Sequence, residues 1–238
     1  MTHVNDNRSY RFSTSSISQR AEYHPIAEWV PAGSHILDLG SGDGSLLALL
    51  AAQGVTGEGI EISPSGVAAA KKKGLKAKVG RIDERLPYKD QTFDYAICNV
   101  TLQMVMYPEV LLREMGRVAR YQIVTFPNFA FLPNRLDLLF FGRMPQIMIP
   151  GYRWYSTGHI HQLSIRDFQE LVDEIGLTIV DQHHLGPASI PLKVIRLPAW
   201  LMRGLPNLWA STAIVLTTSQ DNPLAASDDA RQRKRSTR

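Results

Sequence analysis

Ile36-Leu37-Asp38-Leu39-Gly40-Ser41-Gly42-Asp43-Gly44 is the stretch on which the fold is decided. An apolar β-type run carries an acid at Asp38 and enters a turn with a glycine at every second residue. It then passes into the helical pattern Ser45-Leu-Leu-Ala-Leu-Leu50. A strand, a glycine turn and a helix N-terminus bring bare backbone close to a ligand and aim free N–H groups at it. The spacing Asp38-x-Gly40-x-Gly42-x-Gly44 departs from the dinucleotide fingerprint G-x-G-x-x-G, because its third glycine comes one residue early and an acid precedes the first. A carboxylate there repels a pyrophosphate. It suits an ammonium group, such as that on the methionine end of S-adenosylmethionine (SAM).

A second acid separates this reading from a glycine turn with no ligand. Val55 to Ile62 reads as the next strand, with Glu61 at its end. A carboxylate about 20 residues past the glycine turn accepts hydrogen bonds from ribose hydroxyls in doubly wound folds. Taken alone, Glu61 is a solvated strand-end charge whose loss would barely move the stability of the ligand-free protein. Paired with the turn, it reads as a ribose ligand.

The composition fits one α/β domain with a sizeable core, or one domain plus a cap. The single cysteine, Cys98, excludes an internal disulfide framework and a cysteine-rich metal site; its flanks place it in a buried strand. The first 20 residues are polar and lack an apolar signal core, and no run of 18 apolar residues occurs. A cytoplasmic protein without a transmembrane helix is expected. The net charge of +4 is carried by the ends: residues 227–238 hold five Lys/Arg against two Asp, and residues 1–20 three Arg against one Asp. The body between them is close to neutral, so it is not a basic nucleic-acid platform.

Strand and helix signals alternate through the first half. Strands are expected at Ile36–Leu39, Gly57–Ile62, Ala77–Gly80, Tyr95–Asn99 and Gln122–Phe126. Helices are expected at Tyr23–Trp29, Ser45–Gln53, Ser65–Lys73 and Pro108–Arg117. Such alternation means βαβ units and a parallel sheet. Phe129 to Pro150 reads as an apolar-rich insert. Ile165–Ile175 is a helix capped by Ser164, and Thr178–Gln182 and Ala213–Thr217 are the last strands. Residues 185–211 mix Pro191, Trp200 and Trp209 with cations, as a cap on the sheet edge or a membrane-surface or partner-binding element. A domain over residues 21–220 is expected between a disordered N-terminal segment, 1–20, and a disordered basic tail, 221–238.

Beyond the glycine turn and Glu61, several blocks resemble one known family. Ile26-Ala-Glu-Trp29-Val-Pro31, Thr101-Leu-Gln103, Arg113-Glu-Met115, Phe126-Pro127-Asn128-Phe129, Gly142-Arg143-Met144-Pro145, His161 with the residues before it, and Ile165-Arg166-Asp167-Phe168 are similar to the MetW family of methionine-biosynthesis proteins. The resemblance covers residues 23–182, and about 50 residues follow it. Ser41 stands where the family usually has Cys.

This resemblance implies the doubly wound, mostly parallel seven-stranded sheet of class I SAM-dependent methyltransferases, with helices on both faces. It implies SAM or S-adenosyl-L-homocysteine (SAH) as cofactor, with Asp38, Gly40, Ser41, Gly42 and Gly44 around the methionine portion. Glu61 and Ile62 would lie at the ribose and Asp83 near the adenine amino group, with Glu84 competing for that role. Asn99 would stand at the mouth. His159 and His161 are candidates for a base or substrate contact, against a structural role for each; His183 and His184 read as surface strand-end residues. The resemblance also implies homoserine O-acyltransferase as a partner. Two roles follow: a SAM-sensing accessory protein in methionine biosynthesis, or a stand-alone methyltransferase acting on a small molecule.

Overall fold

The glycine turn lies on the first strand of a seven-stranded sheet in the order β3-β2-β1-β4-β5-β7-β6. In this computed structural model, residues 20–145, 158–186 and 204–219 are described. The strands are β1 (His35–Leu39), β2 (Thr56–Glu61), β3 (Ala77–Val79), β4 (Phe93–Asn99), β5 (Ala119–Pro127), β6 (Leu177–Leu185) and β7 (Thr212–Ser219). The first five run parallel, and β7 is antiparallel to both β5 and β6. All seven expected strands are present.

The expected helices appear as α1 (Tyr23–Trp29), α2 (Ser45–Ala52), α3 (Pro64–Lys72), α4 (Pro108–Val118) and, later, α6 (Ile165–Glu174). Ser63 caps α3 by accepting from the Gly66 amide, with Pro64 at the first helical position. Ser164 and Asp167 form a reciprocal capping box on α6. The insert after β5 contains a helix that its composition did not reveal, α5 (Leu132–Phe141), ended by left-handed Gly142.

Strands buried on both faces are apolar on both faces. Leu37, Leu39, Ala96, Cys98, Val124 and Phe126 point toward α4 and α6, where the Phe126 and Phe168 rings lie 4.7 Å apart. Ile36, Tyr95, Ile97, Ile123 and Leu216 point the other way, toward α1 and α2. Cys98 is fully buried, as its flanks indicated.

Chain order reverses between β1 and β4. The chain winds outward to β2 and β3 on one side and to β4 and β5 on the other. Crevices at the carboxyl ends of strands open at such a switch point. The Asp38↔Ile97 pair marks it, with Gly40 immediately beyond.

Part of the expected cap, with Trp200, falls at residues 187–203, outside the described residues, as do residues 1–19 of the expected N-terminal segment and the whole expected tail, 221–238. After that gap the chain forms a short helix, Pro206–Trp209, whose Asn207 carbonyl accepts from the Asn128 side chain. His183 and His184 are half-buried rather than on an open surface: His183 packs 4.9 Å from the Trp29 ring, and burial lowers the His184 pKa, with His183 adding to the shift.

Candidate functional site

The glycine turn is built by hydrogen bonds to the neighbouring strand. Gly40 N–H and Ser41 N–H both donate to the Ile60 carbonyl, at 2.8 and 3.2 Å. Gly40, Gly42 and Gly44 all have positive φ, +80°, +56° and +75°. Side chains are excluded as well as strained here: a Cβ on Gly40 would stand 2.6 Å from Thr101, and one on Gly44 would stand 2.7 Å from Leu75. Gly44 therefore serves packing against the end of α3, while Gly40 lets the turn press against the exit of β4.

Asp43 pins the turn from outside. Its carboxylate accepts from the Ser45 amide and hydroxyl and pairs with Lys73 at 2.7 Å. Burial alone would raise the Asp43 pKa, but Lys73 and Ser45 outweigh it and hold the carboxyl below its ordinary range.

Asp38 lies under the turn, 2% exposed, and has no hydrogen-bond partner among the described residues. Burial, with Glu61 adding its charge, pushes its pKa up to about 7. The same field reaches its neighbours. Burial and then Asp38 push the Cys98 thiol up to about 12, and burial raises the Tyr23 phenol, with Arg20 opposing and Asp38 adding. Tyr23 is a residue of this crevice that the sequence did not disclose, because no spacing links α1 to the turn.

Glu61 is not a solvated strand-end charge. It is 1% exposed, and its two oxygens accept from the Gly42 and Ser63 amides, each at 2.9 Å. One side chain thus fixes both the centre of the glycine turn and the cap of α3. Ile62, next along, is half exposed and offers an apolar surface at the strand end.

Ser41 turns its side chain under the loop. A Cβ on Gly59 would lie 2.4 Å from Ser41 Oγ, which is buried with no partner. Only the Ser41 backbone faces the turn's ligand side by this packing. A thiol tolerates an apolar site better than an unpaired hydroxyl. Ser41→Cys is therefore expected to raise the stability of the ligand-free protein by about 1 kcal/mol. Urea unfolding measures it, and an unchanged or lower midpoint would refute the assignment.

Asp83 is buried beside the mouth. It accepts from Arg81 and from the Met106 amide at 2.9 Å, whereas Glu84 is exposed and reaches only Arg81. Asn99 ends β4, where its Oδ1 accepts from the Thr125 hydroxyl and its carbonyl from Thr101. His159 and His161 do not reach the glycine turn directly. Both lie beside Gln103 of a 3-10 turn, Leu102–Met104: the Ile160 and His161 amides donate to its carbonyl, and the His159 ring stands 3.5 Å from its amide nitrogen. Gln103 belongs to the Thr101-Leu-Gln103 block picked out in the sequence, where it carried no role of its own.

The residues fit SAM on the chemistry of the donor set. Asp38 is a buried carboxyl with no hydrogen-bond partner among the described residues, left-handed glycines bare the backbone, and the apolar Ile62 is exposed beside Glu61. Among the described residues, no His, Cys, Asp or Glu side chains gather as a metal site, and no helix is long and apolar enough to cross a membrane.

Comparison with known proteins agrees with this geometry. Residues 20–216 match the family model described as methionine biosynthesis protein MetW. The match extends well past residue 182, where the sequence blocks ended, because β7 is an integral strand between β5 and β6. The bifunctional methionine biosynthesis protein MetXA/MetW of Rhodopirellula baltica is 31% identical over 192 residues, 75% of this chain and 30% of that relative. The chain thus spans under a third of that relative's length. A chain of the complex between the Haloferax volcanii Trm112 methyltransferase activator and a methyltransferase superposes with a TM-score of 0.58 at 18% identity, covering 86% of this chain and 92% of that one. A SAM-dependent methyltransferase from Mesorhizobium loti gives the same TM-score at 15% identity, covering 84% and 99%. The fold is that of the class I methyltransferases.

Proposed function

Because the chain belongs to the methionine biosynthesis protein MetW family, we propose that it binds SAM or SAH in the crevice above β1 and β4 and acts in methionine biosynthesis together with a homoserine O-acyltransferase. The observation that carries the ligand is Asp38, a buried carboxyl that has no hydrogen-bond partner among the described residues and that an ammonium would satisfy. Asp38 takes the amino group, the backbone of Gly40, Ser41, Gly42 and Gly44 wraps the methionine portion, Glu61 takes the ribose, and Ile62, Asp83 and Asn99 line the rest. SAM, when bound, supplies an electrophilic methyl group on a sulfonium centre. The residues' part is to orient it and to exclude water.

Support for the partner comes from α5. Leu139, Phe140 and Phe141 are 69–73% exposed, and Leu136, Leu138 and Met144 are exposed beside them. The second half of α5 thus leaves a contiguous apolar run in solvent, and a patch of this kind marks an interaction surface. The Rhodopirellula relative, whose name joins MetXA and MetW in one chain, supports the same pairing. Copurification with homoserine O-acyltransferase, with and without SAM, tests it; no complex in either condition counts against the pairing.

The second reading, a stand-alone methyltransferase acting on a small molecule, draws on a cavity of about 240 Å³ lined by Leu102, Pro108, His161, Leu163 and Phe168. There His161 would contact the acceptor or take its proton. Methyl transfer to a small molecule that is lost in His161→Ala would favour it.

SAH is expected to bind with micromolar affinity, roughly −8 kcal/mol. Gly42→Val should weaken it about 100-fold or more, since a β-branched residue is strained at positive φ and its side chain enters the ligand's approach. Calorimetry on the folded variant decides; unchanged affinity would sink the site.

A further inference from the structure

Val100, immediately after β4, has φ +50°, a left-handed conformation that β-branched residues avoid. Such strain persists only where surrounding bonds over-determine it, and it concentrates at functional sites. Here the bonds are explicit. The Val100 amide donates to both the carbonyl and the hydroxyl of Thr125, at 3.0 and 2.8 Å. The Val100 carbonyl accepts from Gln103 Nε2 at 3.0 Å.

Gln103 is fully buried, and its Oε1 has no partner. A core amide left half unpaired is a poor choice for stability alone, because the desolvated acceptor costs free energy that an apolar side chain of the same shape would not. Its other contacts show what it joins. Its carbonyl accepts from Ile160 and His161, at 2.9 and 3.1 Å. Thr101, between Val100 and Gln103, fills the space against Gly40 of the glycine turn. Met106, at the end of the same segment, donates to Asp83.

We propose that Gln103 is a positioning residue for the ligand crevice: its amide holds Val100 in the strained conformation, and so fixes the exit of β4 between the glycine turn and the 159–161 segment. Among the described residues, Gln103 makes no hydrogen bond to the glycine turn. It acts through Val100 and Thr101 on one side and through its carbonyl on the other. The ligand part of this inference rests on the crevice being the SAM or SAH site.

Gln103→Met keeps the shape, removes the donor and removes the unpaired acceptor, so the variant is expected to fold. Freed from its tether, Val100 should relax to negative φ and shift the β4 exit. SAH affinity should then fall about tenfold, or 1.4 kcal/mol. Exchange of the Ile160 and His161 amide hydrogens should quicken in the ligand-free protein. Val100→Gly alone should leave both readouts near wild type, since glycine adopts this φ freely. Adding Val100→Gly to Gln103→Met should bring affinity back to within about threefold and restore amide protection.

A purely structural glutamine would not be rescued by a glycine at another position. Wild-type affinity and protection in Gln103→Met would overturn the proposal, as would a double variant no better than Gln103→Met. Should the wild type fail to bind SAH, the cofactor reading falls, and amide exchange in the ligand-free proteins still decides the role of Gln103.

Discussion

At pH 8 the Asp38→Asn protein is expected to unfold at a higher temperature than wild type in the absence of ligand, and at pH 4 the two should coincide. Burial, with the Glu61 charge behind it, raises the Asp38 carboxyl from 3.8 to about 7 in the folded protein. The native state therefore holds this proton over a range in which the unfolded chain has released it. Stability falls where the native state binds more protons, so it declines as pH rises from about 4 to about 7, and the full penalty is present above that. A shift of this size corresponds to about 2–4 kcal/mol, or several degrees of melting temperature for a domain of this length. Asparagine carries no charge and escapes the penalty. SAH should reverse the ranking if, as proposed, its ammonium pairs with Asp38: affinity at pH 8 should fall in the variant, and in wild type binding below pH 7 should release a proton. Melting curves between pH 4 and 8 check the first point and calorimetry in two buffers of different ionisation enthalpy checks the second. Curves that keep a constant separation across that range would show that Asp38 is not under strain.

Glu61→Ala should cost the ligand-free protein about 3–5 kcal/mol. Two amides, those of Gly42 and Ser63, lose a charged acceptor worth about 1.5–3 kcal/mol each, and both are left without a partner at a buried site. Glu61→Gln should recover part of the loss, since one oxygen remains to accept. Equilibrium unfolding in urea measures both. A variant within about 0.5 kcal/mol of wild type, the ordinary spread for surface substitutions, would mean that the two amides find water instead. In wild type at pH 8 the Asp38 proton is gone and Glu61→Ala also removes a like charge from beside it, so the loss should be smaller there than at pH 5.

The sheet was legible because β1, β4, β5 and β7 hold apolar runs and strong punctuation divides the chain: glycine after β1, Ser63-Pro64 after β2, Pro127 at the end of β5. The glycine turn was legible because its spacing is local. Glu61 was read as a ribose ligand, with a solvated strand-end charge as the alternative; the solvated alternative fails, because Glu61 is buried and holds two amides. Sequence shows that an acid ends a strand; it does not show that two amides from other segments converge on it. The helix α5 stayed hidden because Leu138 to Phe141 form an unbroken apolar run, which has no period of 3.6 to detect. Gln103 stood in the Thr101-Leu-Gln103 block, but its role did not show there. Its importance arises from a backbone angle at Val100 and from a segment more than 50 residues later, at 159–161, and neither has a signature in the chain.

The antiparallel strand between β5 and β6 also dictates an order of assembly. Strand β6 pairs with β7 alone, and β5 has only β4 on its other side. Until Thr212–Ser219 has been synthesised, the five parallel strands present an open β5 edge and β6 has no place in the sheet. The growing chain on the ribosome therefore carries an incomplete sheet until Ser219 has been added. That period of exposed apolar strand edge is the hazard against which chaperones act. A premature stop between Leu185 and Thr212 would remove two strands from the sheet, although only one is missing from the sequence.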